Sequence, residues 1–228
     1  MGLLLRVCVP RAAARAERRQ LPELKNDMSD VTPVRVGQVV PAFELETYDP
    51  AKGDFGTFSL AATQQAGRWT ILVFYPADFT FVCPTELADL AAKHPALAGL
   101  GAEVVGISTD TKFAHFAWLQ SEKLLAGVKY TLAADPTGKV SRLMGVYDEN
   151  TGLALRGTFL INPAGLLVAS EVNFYNVGRN ADELLRKTEA SVYLAAHPSE
   201  ACPAKWTPGG KTLKPGKDMV GKVFEALQ

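Results

Sequence analysis

Polar and apolar residues change their spacing repeatedly along the chain, and each change marks an element. Phe43-Glu-Leu-Glu-Thr47 alternates as an edge strand should. Turn residues crowd Asp49-Pro-Ala-Lys-Gly-Asp-Phe-Gly56, and Thr57-Phe-Ser-Leu60 reads as the returning strand of a hairpin. Trp69-Thr-Ile-Leu-Val-Phe-Tyr75 is apolar almost throughout, which is the pattern of a strand buried on both faces. From Cys83 to about Ala98 the spacing becomes helical, with Leu87, Leu90 and Ala91 on one face. Ala102-Glu-Val-Val-Gly-Ile-Ser108 is a second central strand. Thr109-Asp-Thr111 then supplies capping residues for a helix carrying Phe113, Phe116, Ala117 and Gln120. Phe113, Phe116 and Trp118 read as core and interface aromatics.

Further on, Lys129–Leu132 is a short strand, Asp135-Pro-Thr-Gly138 a turn and Lys139–Met144 a brief helix before the loop Tyr147–Gly152. Arg156-Gly-Thr-Phe-Leu-Ile161 and Leu166–Val172 flank the turn residues Asn162-Pro-Ala-Gly165 and form a hairpin. A long helix follows from about Asn180 to Ala196, through Leu184, Leu185, Thr188, Val192 and Tyr193. Strand, helix, strand, helix, hairpin, helix is an α/β order that predicts a mixed central sheet with helices on both faces, the thioredoxin-like arrangement. After His197-Pro198 the chain becomes a Pro-, Gly- and Lys-rich C-terminal arm. It is too polar to build its own core and is expected to pack on something else.

Composition narrows the function without choosing it. The 228 residues are 47% apolar and 21% charged with zero formal net charge, so no nucleic-acid surface is implied. No apolar run approaches the roughly 18 residues a membrane span needs. Three cysteines, Cys8, Cys83 and Cys202, are too scattered for a secreted disulfide framework, and no Cys-x-x-Cys offers a zinc site. A reducing, cytoplasmic compartment is expected. Residues 1–27 are Arg- and Ala-rich. Their apolar run is too short for a secretory signal and Arg6 stands where a myristoylation signal wants Ser or Thr; as a transit peptide they pass in being basic but are poor in Ser. Met28-Ser-Asp reads as an ordinary start, so residues 1–27 are expected to be an unstructured leader or an over-called frame. That leaves one domain over 28–196 and an arm over 197–228.

Chemistry concentrates in Pro76-Ala-Asp-Phe-Thr-Phe-Val-Cys-Pro-Thr-Glu86, where a buried strand delivers Cys83 to a helix N-terminus. Unpaired N–H groups and the helix dipole there favour an anionic sulfur. Thr80 offers a hydroxyl that can accept from a substrate and donate to the sulfur. The alternative is a small cysteine closing a core. Glu86 occupies the place of the second thiol of a Cys-x-x-Cys, so a local disulfide is impossible and Cys202 is the available distant partner. A bond between them needs Cα atoms within about 7 Å, hence rearrangement or a neighbouring subunit. Arg156, opening a strand beside the central one, either supports an anionic sulfur with its rigid fork or is a surface residue. Glu86 either opposes an anionic sulfur or orients Arg156.

Pro76-x-x-x-Thr80-x-x-Cys83 with Arg156-Gly-Thr-Phe resembles the active-site signature of the peroxiredoxins. Asp135-Pro-Thr-Gly138, Val177-Gly-Arg-Asn180 and Glu200-Ala-Cys-Pro-Ala-Lys-Trp206 extend the likeness to the typical two-cysteine peroxiredoxins of the alkyl hydroperoxide reductase C group. The resemblance implies that Cys83 is the peroxidatic nucleophile, that Pro76 shields it, that Thr80 and Arg156 hold the peroxide oxygens and that Glu86 positions the arginine. It implies Cys202 as resolving cysteine from the other protomer of a homodimer. Hydrogen peroxide and organic hydroperoxides, with peroxynitrite as a further candidate, are the implied substrates. No bound cofactor is implied; an external dithiol, from a flavoprotein disulfide reductase using NADH or NADPH or from thioredoxin, would close the cycle. A decamer ring is implied, with its interface near Asp78, Phe79 and Phe113–Trp118. The Gly-Gly-Leu-Gly loop and C-terminal Tyr-Phe of over-oxidation-sensitive members are missing, so resistance to over-oxidation is expected. A holdase or peroxide-sensor role and thiol–disulfide exchange are the competing functions.

Overall fold

The computed structural model describes residues 32–228; the leader and Cys8 lie outside the described residues. Seven strands build the domain: β1 (Glu44–Asp49), β2 (Asp54–Ser59), β3 (Trp69–Phe74), β4 (Ala102–Ser108), β5 (Thr131–Ala134), β8 (Arg156–Ile161) and β9 (Leu167–Asn173). They form one mixed sheet in the order β2-β1-β5-β4-β3-β8-β9. Tyr147–Asp148 (β6) and Leu153–Ala154 (β7) make a small hairpin within the expected loop. β3 lies between β4, to which it runs parallel, and β8, to which it runs antiparallel.

Every residue of β3 is buried, because helices cover both faces. Leu72 and Phe74 join Val105, Ile107, Phe159 and Ile161 in one core. α1 (Leu60–Gln65) and α4 (Lys139–Leu143) lie on that side, through Leu60 and Val140. Ile71, Val73 and Tyr75 point the other way, into a second core with Leu87, Leu90 and Leu97 of α2 (Cys83–Gly99) and Trp118 of α3 (Lys112–Ser121). Leu184, Leu185 and Val192 of α5 (Ala181–Ala196) pack on the same core. Thr111 caps α3 by accepting from the Ala114 N–H, and Asn180 caps α5 by accepting from those of Asp182 and Glu183.

Two expectations change. β1 is not an edge strand: β2 covers one side of it and β5 the other. Its alternation reports one partly open face, where Glu46 pairs with Lys112, and alternation says nothing about lateral neighbours. Leu60 opens α1 instead of ending the hairpin strand, since its side chain is fully buried in the core below the sheet. The arm does find a partner to pack on, and that partner is the chain's own α5. Trp206, 5% exposed, sits 5.0 Å from the Tyr193 ring.

Candidate active site

The site forms where β3 hands over to α2. Tyr75 and Pro76 close the strand buried, and the chain then loops through residues 77–82 to Cys83 at the first turn of a 17-residue helix. Phe79 has a left-handed backbone, φ 55°, a conformation that a residue with a side chain adopts only at some cost. What holds the loop in place is a buried polar group beneath it. Tyr75 Oη donates to Asp78 Oδ1 at 2.8 Å, His115 Nδ1 lies 2.7 Å from Asp78 Oδ2, and the Asp78 N–H donates to Asp110 at 2.9 Å. Burial pushes the Asp78 carboxyl up despite the hydrogen bond from His115, and pushes the Tyr75 phenol well above its usual range.

Cys83 is completely buried, and its sulfur meets Arg156 Nη1 at 3.4 Å. Arg156 is equally hidden, at 3% exposed, which removes the surface reading. β8 places it beside β3, and Gly157 follows because a Cβ there would meet Val146 and Phe159 at 2.7 Å. Three acceptors take three of its five N–H donors: Nε donates to the Tyr175 carbonyl at 2.7 Å, and Nη1 to Glu86 Oε2 at 2.5 Å as well as to the sulfur. Burial works against its charge, but the contacts with Cys83 and Glu86 outweigh burial and hold its pKa above the ordinary arginine value.

Glu86, one helical turn from Cys83, lies between two arginines. The fork expected for Arg156 belongs instead to Arg179, whose Nε and Nη2 reach the two carboxylate oxygens at 2.8 and 3.1 Å. The Arg179 N–H adds a third bond at 2.8 Å, and its Nη1 donates to the Gly157 carbonyl. Burial alone would push the Glu86 carboxyl up, yet Arg179 first and Arg156 second hold it below its usual value. Two guanidiniums thus face one carboxylate, and the free side of the group is the Cys83 sulfur.

Pro76 is buried and Thr80 half-buried in the loop. The Thr80 hydroxyl donates to the Ala77 carbonyl at 2.8 Å, so its proton is committed and the oxygen is left to accept. Donation from Thr80 to the sulfur, expected from the spacing, is therefore not made. Cys202 is half-buried on the arm, outside this group. Spacing does not single out Arg179 as a site residue, because it lies far along the chain; its only signal is the Gly-Arg-Asn ahead of a helix. Among the described residues no group of three or more His, Cys, Asp or Glu is placed to hold a metal ion.

A family model described as AhpC/TSA family matches residues 36–170, and one described as the C-terminal domain of 1-Cys peroxiredoxin matches residues 193–226. The chain belongs to the AhpC/TSA family. Peroxiredoxins are thiol-dependent peroxidases, and this chain is one of them. Alkyl hydroperoxide reductase C of Staphylococcus saprophyticus is 44% identical over 186 residues, 82% of this chain and 97% of the relative. The protein of the same name from Amphibacillus xylanus is 44% identical, covering 82% and 98%. Among solved structures, the reduced 2-Cys peroxiredoxin of Plasmodium vivax is 32% identical, covers 82% of this chain and 96% of its own, and superposes with a TM-score of 0.76. Enterococcus faecalis AhpC is 39% identical, with coverage of 74% and 98% and a TM-score of 0.69. The thioredoxin-like fold expected from the order of elements is therefore the fold of this protein, in its peroxiredoxin form.

Proposed function

We propose that Cys83 is the peroxidatic nucleophile, and that the observation carrying this is its buried sulfur at the α2 N-terminus, 3.4 Å from an arginine held by Glu86. The thiolate attacks one peroxide oxygen and the O–O bond breaks. Cys83 becomes a sulfenic acid, and the alcohol or water leaves with a proton. Arg156 and the Thr80 oxygen hold the two peroxide oxygens, Pro76 keeps bulk water from the sulfur, and Glu86 with Arg179 fixes Arg156. Cys202 of the other protomer then attacks the sulfenic sulfur, expelling water and forming a disulfide between protomers. An external dithiol reduces that bond by exchange, from a flavoprotein disulfide reductase fed by NADH or NADPH or from thioredoxin. Hydrogen peroxide and small organic hydroperoxides are the substrates, and the catalyst is a cytoplasmic homodimer assembled into a decamer ring.

Exposed Phe79, Phe113 and Phe116 supply an apolar surface suited to the ring contact, whereas Trp118 and Asp78 are turned inward in this chain. Among the described residues no helix is long and apolar enough to cross a membrane. The match of residues 193–226 to a 1-Cys C-terminal domain favours a second reading, in which an outside thiol resolves Cys83 directly. Electrophoresis after one equivalent of hydrogen peroxide, with and without thiol in the gel, separates the two. A reducible covalent dimer, missing in the Cys202→Ser variant, is expected. A monomer with oxidised Cys83 selects the 1-Cys reading, and an untouched Cys83 overturns the assignment of the nucleophile.

A further inference from the structure

The arm is folded, and Glu200 is the point where it is tied down. Tyr193 Oη, on α5, donates to Glu200 Oε2 at 2.8 Å, and the Thr212 hydroxyl donates to the same oxygen. The next residue, Ala201, exchanges two backbone hydrogen bonds with Leu213, at 2.8 and 2.9 Å. Residues 201–213 are thereby closed into a loop, and Cys202 lies just inside its neck. The far side of the loop is also fastened. Trp206 is buried against Tyr193, its Nε1 donates to the Gly210 carbonyl at 3.1 Å, and its own carbonyl accepts from Arg186 at 3.2 Å. The Tyr193 ring is itself stacked on His197, 4.0 Å away and 14° from parallel.

None of these contacts touches Cys83, Arg156 or Glu86, so the peroxidatic site does not use them. What they do is limit the conformations of Cys202 before it meets a partner. A thiol on a loose tail must be ordered at the moment of reaction, whereas a thiol on a closed loop is ordered beforehand.

We propose that Glu200, held by Tyr193 and Thr212, is a positioning residue for the resolving step, presenting Cys202 to an oxidised Cys83; this rests on the reading of Cys202 as the resolving cysteine. In that step the Cys202 sulfur attacks the sulfenic sulfur of Cys83. The S–S bond forms, the S–O bond breaks, and the departing hydroxide combines with the Cys202 proton as water. No outside oxidant or reductant enters. Glu200 has a second effect on the same thiol. The bonds from Thr212 and Tyr193 hold its carboxyl low, with His197 and Lys214 assisting. Burial and the Glu200 charge then push the Cys202 thiol up, against Arg186. The raised pKa favours the neutral form of Cys202, a poorer competitor for peroxide than a thiolate.

The test follows both chemical steps in the full-length protein after one equivalent of hydrogen peroxide. Rapid quenching at successive times is combined with mass spectrometry of sulfenic acid and of the Cys83–Cys202 disulfide. In Thr212→Val and in Glu200→Gln, disulfide formation is expected to slow roughly five- to tenfold, the effect of about one net hydrogen bond, while sulfenic acid forms at the parent rate. Thr212→Ser, which keeps the hydroxyl, is expected to restore the parent rate. Glu200→Gln should also move the pH profile of Cys202 alkylation, resolved by peptide, to lower pH. Parent disulfide rates in both Thr212→Val and Glu200→Gln overturn the proposal. So does equal slowing of both steps, which marks a general loss of fold. A Cys202→Ser control that turns over at the parent rate overturns the underlying reading instead, and is recognised as such because it is independent of the Glu200 variants.

Discussion

Cys83 is fully buried on the first turn of a long helix, whereas Cys202 is half-buried on an arm with little regular structure. Around Cys83 the supporting groups are charged and hidden: Glu86 and Arg156 side chains are each 4% exposed and Arg179 is 8% exposed. They converge from α2, from β8 and from the segment ahead of α5, so the position of the sulfur depends on the whole sheet. Around Cys202 the supporting groups are half-exposed hydrogen bonds within residues 186–213, all local to α5 and the arm. A nucleophile that must meet a small peroxide with fixed geometry needs an environment that cannot relax. A thiol that must meet another protein sulfur needs order together with the freedom to move. With Cys83 as the proposed nucleophile and Cys202 as the proposed resolving thiol, the two regions divide these requirements.

The largest effect expected from breaking this contrast is in Glu86→Gln. Removing the carboxylate leaves two buried guanidiniums without a counter-charge, at a cost of about 3 kcal/mol or more of stability. Chemical denaturation of the variant checks it, and a cost below about 1 kcal/mol would show that the charged group is not what holds the site. Next is Arg156→Lys, which keeps a charge but loses the fork that reaches Tyr175, Glu86 and the sulfur together. Its reaction with hydrogen peroxide is expected to slow by about 10²-fold, the scale for loss of one aligned donor at a reacting oxygen. Stopped-flow measurement of the first step alone reads this, and the disulfide-forming step should be unchanged.

A smaller effect concerns acid. The Glu86 carboxyl is lowered from 4.5 by folding, so its contribution to stability is fully present above that pH. The contribution is lost as pH falls through the lower folded value. Denaturant midpoints measured at pH 5 and near pH 3 should therefore fall less in Glu86→Gln than in the parent; an equal fall would place the acid-sensitive group elsewhere. The smallest is Trp206→Phe. It keeps the ring in place and removes the hydrogen bond to Gly210, worth about 1 kcal/mol. Hydrogen exchange should rise across residues 200–213 and stay at parent values around Cys83, since the arm's contacts are confined to itself and α5.

Much of the site is legible in the amino-acid order, because four of its residues lie within one short stretch. Pro76, Thr80, Cys83 and Glu86 stand at intervals that a strand-to-helix turn makes meaningful, and Arg156 opens a strand whose place beside β3 follows from the order of elements. Arg179 and the group of Tyr75, Asp78 and His115 are not legible there. They act through side chains from positions distant in sequence, and no local periodicity records which oxygen a guanidinium or imidazole will reach. The lateral neighbours of β1 escape for a related reason: alternation records which faces are wet, whereas strand order is a property of the assembled sheet.

Near-neighbour spacing and backbone stereochemistry are enough to specify most elements of the domain, the lack of a local second thiol, and the placement of Cys83 at a helix N-terminus. The choice of partners came from packing. It gave the Glu86 fork to Arg179, committed the Thr80 proton to Ala77, and folded the polar arm onto α5 around Glu200. The physical reason is common to all three: a buried or half-buried polar group must find a partner among whatever the packed chain brings within about 3 Å, and only the packed chain specifies that set.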